Sequence, residues 1–277
     1  MELTTREQKI WNDILEWQNT LANKDANVVQ RQLDKWVEEV FKTIPTKKQH
    51  SFFRHLDGWL FHLHAFIQQS QVQIDAKNRI LLYARTFDET VEEIEDMSGL
   101  SIDVRAYMVD QMLAKHRLYS FVQGGVAGTG GILFLGMDIP TMATINLRAV
   151  QLVAMTYGYD VNKPYEMMMA LRVFHAALLP GHLQQYAWDQ LVQDVQPGER
   201  PFFYEGNEEL TNEKWLEQPM KQLLKMLAIY ALRRKVWQGI PLLGIAIGST
   251  ANYKLTRHVT DFANRFYQFR ALADKMN

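Results

Sequence analysis

The chain has 277 residues, and its fractions of apolar side chains (47%) and charged side chains (22%) exclude wholesale disorder. Its 30 basic and 31 acidic side chains nearly cancel, so the composition does not favour nucleic-acid binding, which depends on a basic excess that neutralises phosphates. The absence of cysteine excludes disulfides, thiolate nucleophiles and cysteine metal sites, and it fits a reducing compartment.

The N-terminal residues predict an amphipathic helix rather than a targeting signal. The sequence MELTTREQKIWNDILEWQ has no apolar core between a basic start and a small-residue cleavage site, so it favours a cytoplasmic location. Thr4 and Glu7 have the spacing of a capping box. The apolar residues that follow, including Ile14 and Leu21, recur at helical spacing.

Helical spacing continues along the chain. No proline occurs from 46 to 139, and sets of apolar residues such as Ile80, Leu81 and Ala84 fall on one helical face. No run of residues alternates with period two between hairpin turns. We therefore predict an all-α fold, a single-domain multi-helix bundle with two glycine-rich apolar segments at its centre.

The predicted domain covers the whole chain. Residues 1–100 are expected to form N-terminal helices, residues 101–195 the first glycine-rich segment with the helices after it, and residues 211–277 the C-terminal helices. Residues 196–210 are rich in proline, glycine and charge, which predicts an exposed loop. The ~70 residues after this loop are few for an independent core, which favours one domain.

Two helix starts can be placed from capping residues. Asp138 lies two residues before Pro140, and an aspartate cap with a proline in the first turn is typical of a helix start. This helix is predicted to end at Gly158. The sequence Asn-Lys-Pro that ends at Pro164 repeats the pattern, and the helix that it begins is predicted to end near Pro180.

Two uncharged segments, residues 118–137 and 236–253, contain nine of the fifteen glycines. A phosphate-binding loop is one interpretation, but Gly130 and Gly131 are not followed by the lysine and hydroxyl residue of a Walker motif, and no βαβ pattern surrounds them. Membrane insertion is a second interpretation, since the length of both segments approaches the ~20 residues that a helix needs to cross a bilayer. Polar residues interrupt both segments, which favours shallow association with a membrane face over crossing.

Close helix packing is the third interpretation of the glycines, and the simplest one. Gly124 and Gly128 are four residues apart, as are Gly244 and Gly248. Small residues at this spacing allow another backbone to approach closely. We therefore expect the segment around Gly124 to Gly131 to pack against the helix that contains Gly244 and Gly248.

Two blocks of the chain contain recognisable motifs. Residues 124–162 read GGVAGTGGILFLGMDIPTMATINLRAVQLVAMTYGYDVN, in which an Asp-x-Pro follows the glycines and a Tyr-Gly-Tyr-Asp ends the helix. Residues 240–270 read IPLLGIAIGSTANYKLTRHVTDFANRFYQFR. In their order, spacing and separation these blocks resemble the EcsC family, and together they cover about a quarter of the chain.

The resemblance implies a bacterial protein. The family takes its name from genes that lie beside those of the Ecs ABC transporter. The transporter genes encode an ATPase and a membrane component. This gene association is linked with secretion, competence and processing at the membrane. The resemblance implies no known reaction. The candidate motif or ligand-binding residues are Gly124, Gly125, Gly128, Gly130, Gly131, Asp138, Pro140, Gly244, Gly248 and Asn252.

The residues that could supply chemistry form no recognised catalytic pattern. The eight histidines include no HExxH motif, pairs such as His62 and His64 or His175 and His182 lack a suitably spaced carboxylate, and no GxSxG motif occurs. We therefore predict no catalytic residue, metal ion or cofactor. Asp138 is the first residue to test for catalysis, although a helix cap is its simpler interpretation.

A basic cluster precedes each glycine-rich segment. Lys115 and Arg117 precede the first, and Arg233, Arg234 and Lys235 precede the second. Such clusters suit anionic lipid headgroups, and they equally suit solvated helix ends. We treat these five residues as candidate membrane contacts.

Together these observations predict a non-enzymatic accessory protein, cytoplasmic and peripheral at the inner face of the cell membrane. Its predicted partner is the membrane surface or an ABC transporter component, and no nucleic acid. Two alternatives stay open. One is a hydrolase whose pocket lies at the glycine-rich segment near Asp138, and the other is a protein that binds a lipid or another apolar ligand between the two segments.

Overall fold

The structure, a computed structural model, describes residues 2–22, 62, 64–129, 132–179, 181–195 and 241–276. For residues 22, 119, 121–129, 132–140, 181–183 and 241–252 it describes the course of the backbone only. The described residues form helices, turns and short connections without any strand, which confirms the predicted all-α class. The predicted loop 196–210 lies outside the described residues.

Seven α-helices and one short 3-10 helix are described. The α-helices are α1 (Thr5–Ala22), α2 (Gln71–Ala84), α3 (Ile102–Thr129), α4 (Ile132–Thr156), α5 (Pro164–Leu178), α6 (Gly181–Asp194) and α7 (Pro241–Met276), and the 3-10 helix is Glu95–Gly99. Residues 64–69, before α2, are also helical.

Local capping chemistry fixes several helix ends. The Thr4 N–H donates to the Glu7 carboxylate at 2.8 Å, and the Glu7 N–H donates to the Thr4 hydroxyl at 3.3 Å, which confirms the capping box at the start of α1. The Ser70 hydroxyl accepts from the N–H of Gln73 and caps α2 in the same way. The predicted start of α5 at Pro164 is confirmed.

The glycine-rich residues 118–137 divide between two helices. Helix α3 continues through Gly124, Gly125 and Gly128 to Thr129, and α4 begins at Ile132. Gly130 and Gly131, between the two helices, lie outside the described residues.

The predicted start of α4 at Asp138 and Pro140 is wrong, because the helix begins six residues earlier at Ile132. The residues from 132 to 137 are mostly Ile, Leu, Phe and Met, which favour or tolerate the helical conformation. The φ angle to which proline is locked is itself helical, so the helix continues through Pro140 at the cost of one backbone hydrogen bond.

The chain divides into two compact units, and the single-domain assignment therefore stays a prediction. Unit one consists of residues 1–15, 64–177 and 240–277, and unit two of residues 16–63 and 178–239. In the described part of unit two, Trp17 packs edge-on against Trp188 at 4.9 Å between ring centroids, and Gln18 donates to Asp189 at 3.3 Å.

The core of unit one is built mainly from α3, α4 and α7, and the most extensive contact among its described helices joins α3 to α7. Helix α7 contributes Val259, Phe262 and Phe266, each at most 1% exposed and all on one helical face. Burial of each such side chain stabilises the fold by about 1.5–3 kcal/mol relative to exposure. The apolar stripe predicted for α2 is likewise buried at Ile80, Leu81 and Ala84.

Candidate functional site

The two sequence blocks meet where α4 ends. Gly158 has a φ angle of +97°, the only described positive φ, and its N–H donates to Met155 O at 3.0 Å. The N–H of Tyr159 donates to Ala154 O at 3.0 Å, so the two bonds form a Schellman motif. The predicted end of this helix at Gly158 is confirmed, and the turn directs Tyr157, Tyr159 and Asp160 into different contacts.

The two tyrosines of this turn contact α7 through their hydroxyls. The Tyr157 hydroxyl donates to Asn264 Oδ1 at 2.8 Å, and the Tyr159 hydroxyl donates to Asp274 Oδ2 at 3.0 Å. Burial raises the pKa of both phenols above the ordinary value, so both keep their proton and act as donors. The Tyr159 ring also lies 3.8 Å below the guanidinium of Arg270.

Arg270 forms the strongest polar contact of this junction. Its Nη1 and Nη2 atoms donate to the two carboxylate oxygens of Glu166, on α5, at 2.5 and 2.6 Å. The side chains of Arg270 and Glu166 are 2% and 12% exposed, so this is a buried bidentate ion pair. Burial alone would lower the pKa of Arg270, but the hydrogen bonds and attraction of Glu166 raise it above its ordinary value.

Asp160 extends the junction to α2. Its carboxylate lies 3.1 Å from Lys77 Nζ and accepts hydrogen bonds from the N–H and the side-chain amide of Asn162. Burial would raise the pKa of Asp160, but the Asn162 N–H and Lys77 together lower it below the ordinary value. The loop between α4 and α5 is therefore fixed by a charged hydrogen-bonded group.

A chain of buried polar side chains runs beside this loop. Arg148 Nε donates to Gln73 at 3.1 Å, Gln73 donates to Gln151 at 3.2 Å, and Gln151 Nε2 lies 2.9 Å from His64 Nδ1. Burial lowers the pKa of His64 to about 4, so the ring is neutral at physiological pH.

Arg105 approaches the junction from α3. It is 7% exposed, and its Nη1 donates to the carbonyl of Tyr157 at 3.1 Å. Burial lowers the pKa of Arg105 below its ordinary value.

These contacts join neighbouring helices of unit one. The carboxylates of Asp160, Glu166 and Asp274 each accept a hydrogen bond from a cationic side chain or a hydroxyl of this chain. Within the described residues, no group of three His, Asp or Glu side chains is placed to hold a metal ion. The junction can therefore fix how α2, α4, α5 and α7 contact one another.

The predicted glycine positions lie on helices that do pack together. Gly124, Gly125 and Gly128 are in α3, and Gly244 and Gly248 are in α7 with Asn252. The contact of the glycines themselves lies outside the described side chains and stays a prediction, as do the roles of Asp138, Pro140 and Asn252. No helix among the described residues is long and apolar enough to span a membrane.

The register of α3 against α7 is antiparallel. The hydroxyls of Ser120 and Thr256 lie 2.6 Å apart, and the Arg117 guanidinium donates to Thr260 at 3.0 Å and to Asp261 at 2.6 Å. Arg117 therefore uses its charge inside the protein, which makes it a weaker membrane contact than its sequence position suggests.

Of the other four candidate membrane contacts, the structure describes one. Lys115 is exposed on α3, whereas Arg233, Arg234 and Lys235 lie outside the described residues. An open, mainly apolar groove of about 450 Å³ is lined by Ala114, Arg117, Leu118 and Tyr253.

A model of the EcsC protein family matches residues 8–272 of the chain. The chain belongs to the EcsC protein family. Two curated relatives come from Bacillus subtilis (strain 168). The one printed as "Uncharacterized protein YdbA" is 22% identical over 219 residues, or 76% of this chain and 75% of its own length. The one printed as "Protein EcsC" is 22% identical over 185 residues, or 65% and 69% of the two chains. No solved structure matches the chain significantly.

In this EcsC-family chain, sequence reasoning found the two blocks but missed the residues that join them. Tyr157 and Tyr159 lie in the Tyr-Gly-Tyr-Asp motif and Arg270 ends the second block, but neither motif indicates a contact with the other or with Glu166. One signal could have found Arg270: it is a charged residue on the helical face that also contains Phe262 and Phe266. A charge on a buried apolar face needs a partner of opposite charge.

Proposed function

We propose that the chain is a non-enzymatic accessory protein that binds the cytoplasmic face of the membrane, beside an ABC transporter component. The binding surface in this proposal is the end of unit one at which the uncharged parts of α3, α4 and α7 come together, here called the uncharged end. The family assignment supports the transporter half of the proposal by resemblance, and the arrangement of the helices supports the membrane half.

The antiparallel register of α3 and α7 is the observation that supports membrane binding most directly. Because Ser120 contacts Thr256, residues 118–129 of α3 and residues 241–253 of α7 extend toward the same end of unit one. Neither stretch contains a charged residue. Helix α4 starts at this end, and Asp138 is the single charged residue of its first sixteen.

Basic residues border the uncharged end. Lys115 and Lys254 are exposed on α3 and α7, and the side chain of Arg257 is 62% exposed. An apolar surface with a basic border suits an anionic leaflet, to which each Lys or Arg near the surface contributes about 1 kcal/mol. Leu118, 63% exposed in the groove beside Arg117, adds apolar surface at the same place.

Sedimentation with vesicles tests the membrane half. The protein should bind vesicles that contain phosphatidylglycerol more tightly than vesicles of phosphatidylcholine alone, and added salt should weaken binding. The double variant Lys115→Glu and Lys254→Glu should lose at least about tenfold in affinity, because it removes two attractive charges and adds two repulsive ones.

The matched control for this experiment changes the same net charge elsewhere. Lys9 and Arg79 are exposed on α1 and α2, and Lys9 lies two residues from Glu7, which contacts Lys275 at the far end of α7. The double variant Lys9→Glu and Arg79→Glu should keep its vesicle binding. Equal losses in the two double variants would overturn the proposed surface.

A co-purification experiment tests the transporter half. The chain, expressed with the ATPase and membrane component of the neighbouring transporter, should co-purify with them from detergent-solubilised membranes. Recovery of the transporter without this chain, under conditions that preserve the transporter's own subunits, would remove that part of the proposal.

The groove lined by Ala114, Arg117, Leu118 and Tyr253 favours a second candidate, the binding of a lipid chain. Its surface is mainly apolar, which suits the acyl chain of a lipid. Native mass spectrometry of the purified protein should then show a bound lipid, and a spectrum of the bare chain alone would count against this candidate.

A further inference from the structure

An exposed group of aromatic side chains lies away from the uncharged end. Tyr83, at the end of α2, Phe87, in the turn after it, and Tyr107, in the first part of α3, are 38%, 47% and 50% exposed. Large rings are seldom left exposed side by side on a monomer, and such groups mark interaction surfaces. We call these three residues the aromatic patch.

The rings of the aromatic patch hold one another in place. Tyr83 packs edge-on against Phe87, with ring centroids 5.6 Å apart and an interplanar angle of 90°, and its centroid lies 6.5 Å from that of Tyr107. The neighbouring hydroxyl of Tyr107 raises the pKa of Tyr83. The patch is therefore arranged before any partner arrives, which lowers the entropy that binding would cost.

The surroundings of the aromatic patch are strongly acidic. Residues 86–104 contain seven Asp or Glu and no Lys or Arg. On α3, Asp103, Tyr107 and Asp110 are exposed at a spacing that places them on one face of the helix, and Asp103 is ion-paired with Arg6 at 2.9 Å, which leaves Asp110 as the exposed carboxylate beside Tyr107 on that face. The chain as a whole has a net charge of only −1, so this concentration of negative charge is local.

The acidic loop beside the patch is ordered by its own hydrogen bonds. Arg85 Nε donates to the carbonyl of Val91 at 2.7 Å and folds the loop back on the end of α2. The Asp96 carboxylate accepts from the N–H groups of Glu92 and Glu93 at 2.9 and 2.8 Å, and the side chains of Glu92 and Glu93 are exposed. The loop after α2 therefore presents exposed carboxylates in a fixed conformation, close in sequence to Phe87.

We propose that the aromatic patch and its acidic border bind an arginine-rich segment of another protein. A guanidinium can stack on an exposed ring while it hydrogen-bonds a neighbouring carboxylate, which a lysine ammonium does less well. The acidic border repels anionic lipid and nucleic acid, so those ligands do not suit this surface. This proposal does not depend on membrane binding, because its residues lie in α2, the loop after α2 and the first part of α3.

Fluorescence anisotropy with labelled peptides tests the proposal. The probes are a short peptide in which arginine alternates with glycine and a matched peptide with lysine in place of arginine. The full chain should bind the arginine peptide several-fold more tightly than the lysine peptide. The double variant Tyr83→Ala and Tyr107→Ala should lose roughly three- to tenfold in affinity for the arginine peptide.

A control variant and a measurement on the unmodified chain complete the test. Tyr186, on α6, is 58% exposed, so Tyr186→Ala removes an exposed ring without touching the aromatic patch, and its affinity should stay unchanged. Should the double variant fail to fold, hydrogen exchange of the unmodified chain decides: the arginine peptide should protect amides of residues 82–110.

Any of three results with the peptides would overturn the proposal. The first is equal affinity for the arginine and lysine peptides. The second is an equal loss of affinity in the double variant and in Tyr186→Ala. The third is hydrogen-exchange protection only of amides that lie outside residues 82–110. Self-association of the chain that the double variant abolishes, without any peptide binding, would also overturn it, because the occupant would then be a second copy. Vesicle binding is measured on other residues, so either proposal can fail while the other stands.

Discussion

Unit one is held together differently at its two ends. Where α4 ends, α4, α5 and α7 are joined by directional polar contacts, in which the ion pair of Arg270 and Glu166 lies beside the hydroxyls of Tyr157 and Tyr159. At the uncharged end, the same α4 and α7 contain glycines and apolar residues.

The difference between the ends indicates a division of roles. Hydrogen bonds and bidentate ion pairs have fixed geometry, so they specify which residues of two helices face each other. Apolar contacts are less directional, and a surface that depends on them tolerates rearrangement or a change of solvent. The polar contacts where α4 ends, here called the polar junction, therefore fix the relative positions of the helices. The uncharged end can contact another apolar surface.

Breaking the ion pair should give the largest effect. Glu166→Ala leaves the guanidinium of Arg270 buried without a counter-charge, so the free energy of unfolding should fall by about 3–5 kcal/mol, measured by urea denaturation. Glu95→Ala is the control, because the ion pair of Glu95 with Lys163 is solvent-exposed and should contribute at most about 1 kcal/mol. Similar losses in the two variants would contradict the role given to the polar junction.

Acid should weaken unit one through His64. The folded pKa of His64 is about 4, below the unfolded value of about 6.5, so the unfolded chain binds the proton first as the pH falls. The contribution of neutral His64 to the free energy of unfolding is fully present above about pH 6.5 and decreases as the pH falls toward 4. The total loss is about 3 kcal/mol, because each unit of pKa difference corresponds to about 1.4 kcal/mol.

The variant His64→Gln should remove that part of the pH dependence, measured as urea-denaturation midpoints between pH 7 and pH 4. His62→Gln, a change of an exposed histidine two residues away, should leave the dependence as it is. If both variants keep the pH dependence of the wild-type protein, His64 is not the source of that dependence.

Overpacking the uncharged end should have a smaller effect than breaking the ion pair. Gly248→Leu adds a side chain where we predict close approach of α3 to α7, at a cost of about 1–3 kcal/mol in thermal or urea denaturation. Gly206→Leu, in the predicted loop, should cost much less. Equal and small losses would mean that the glycines do not form the contact between the helices.

The smallest of these effects should come from the turn at Gly158. An alanine there must adopt a φ near +97°, and its Cβ would lie 3.1 Å from Ser98 N, so Gly158→Ala should cost about 1–2 kcal/mol. Gly99 is a matched control in the neighbouring 3-10 helix, because a Cβ added there has no atom within 4 Å. Gly99→Ala should leave the melting temperature nearly unchanged, and a larger loss at Gly99 than at Gly158 would contradict this account.

Local chemistry made much of the fold predictable. The capping box at Thr4, the start of α5 at Pro164 and the end of α4 near Gly158 depend on residues within one turn of the helix end, and all three predictions are confirmed. The start of α4 was not predictable in this way, because the Asp-x-Pro pattern at Pro140 competes with six preceding residues that also support a helix.

The polar junction could not be predicted from local patterns. Glu166 and Arg270 are separated by 104 positions, and their pairing follows from how α5 and α7 pack. Arg117 teaches the same lesson, since its sequence position suggests a membrane contact whereas the fold places Thr260 and Asp261 against it. The one sequence feature that indicates a partner for Arg270 is its position on a helical face that is otherwise apolar.

The discontinuous make-up of unit one has a consequence for its synthesis. Helix α7 leaves the ribosome after every other described helix, yet it covers the face of α3 with which it makes the most extensive contact in unit one. A nascent chain that ends before Pro241 therefore presents the uncovered apolar face of α3 to solvent, and unit one can complete its core only when the last helix arrives. During that interval the exposed face is a target for chaperones, and an N-terminal fragment of the protein should aggregate where the full chain does not.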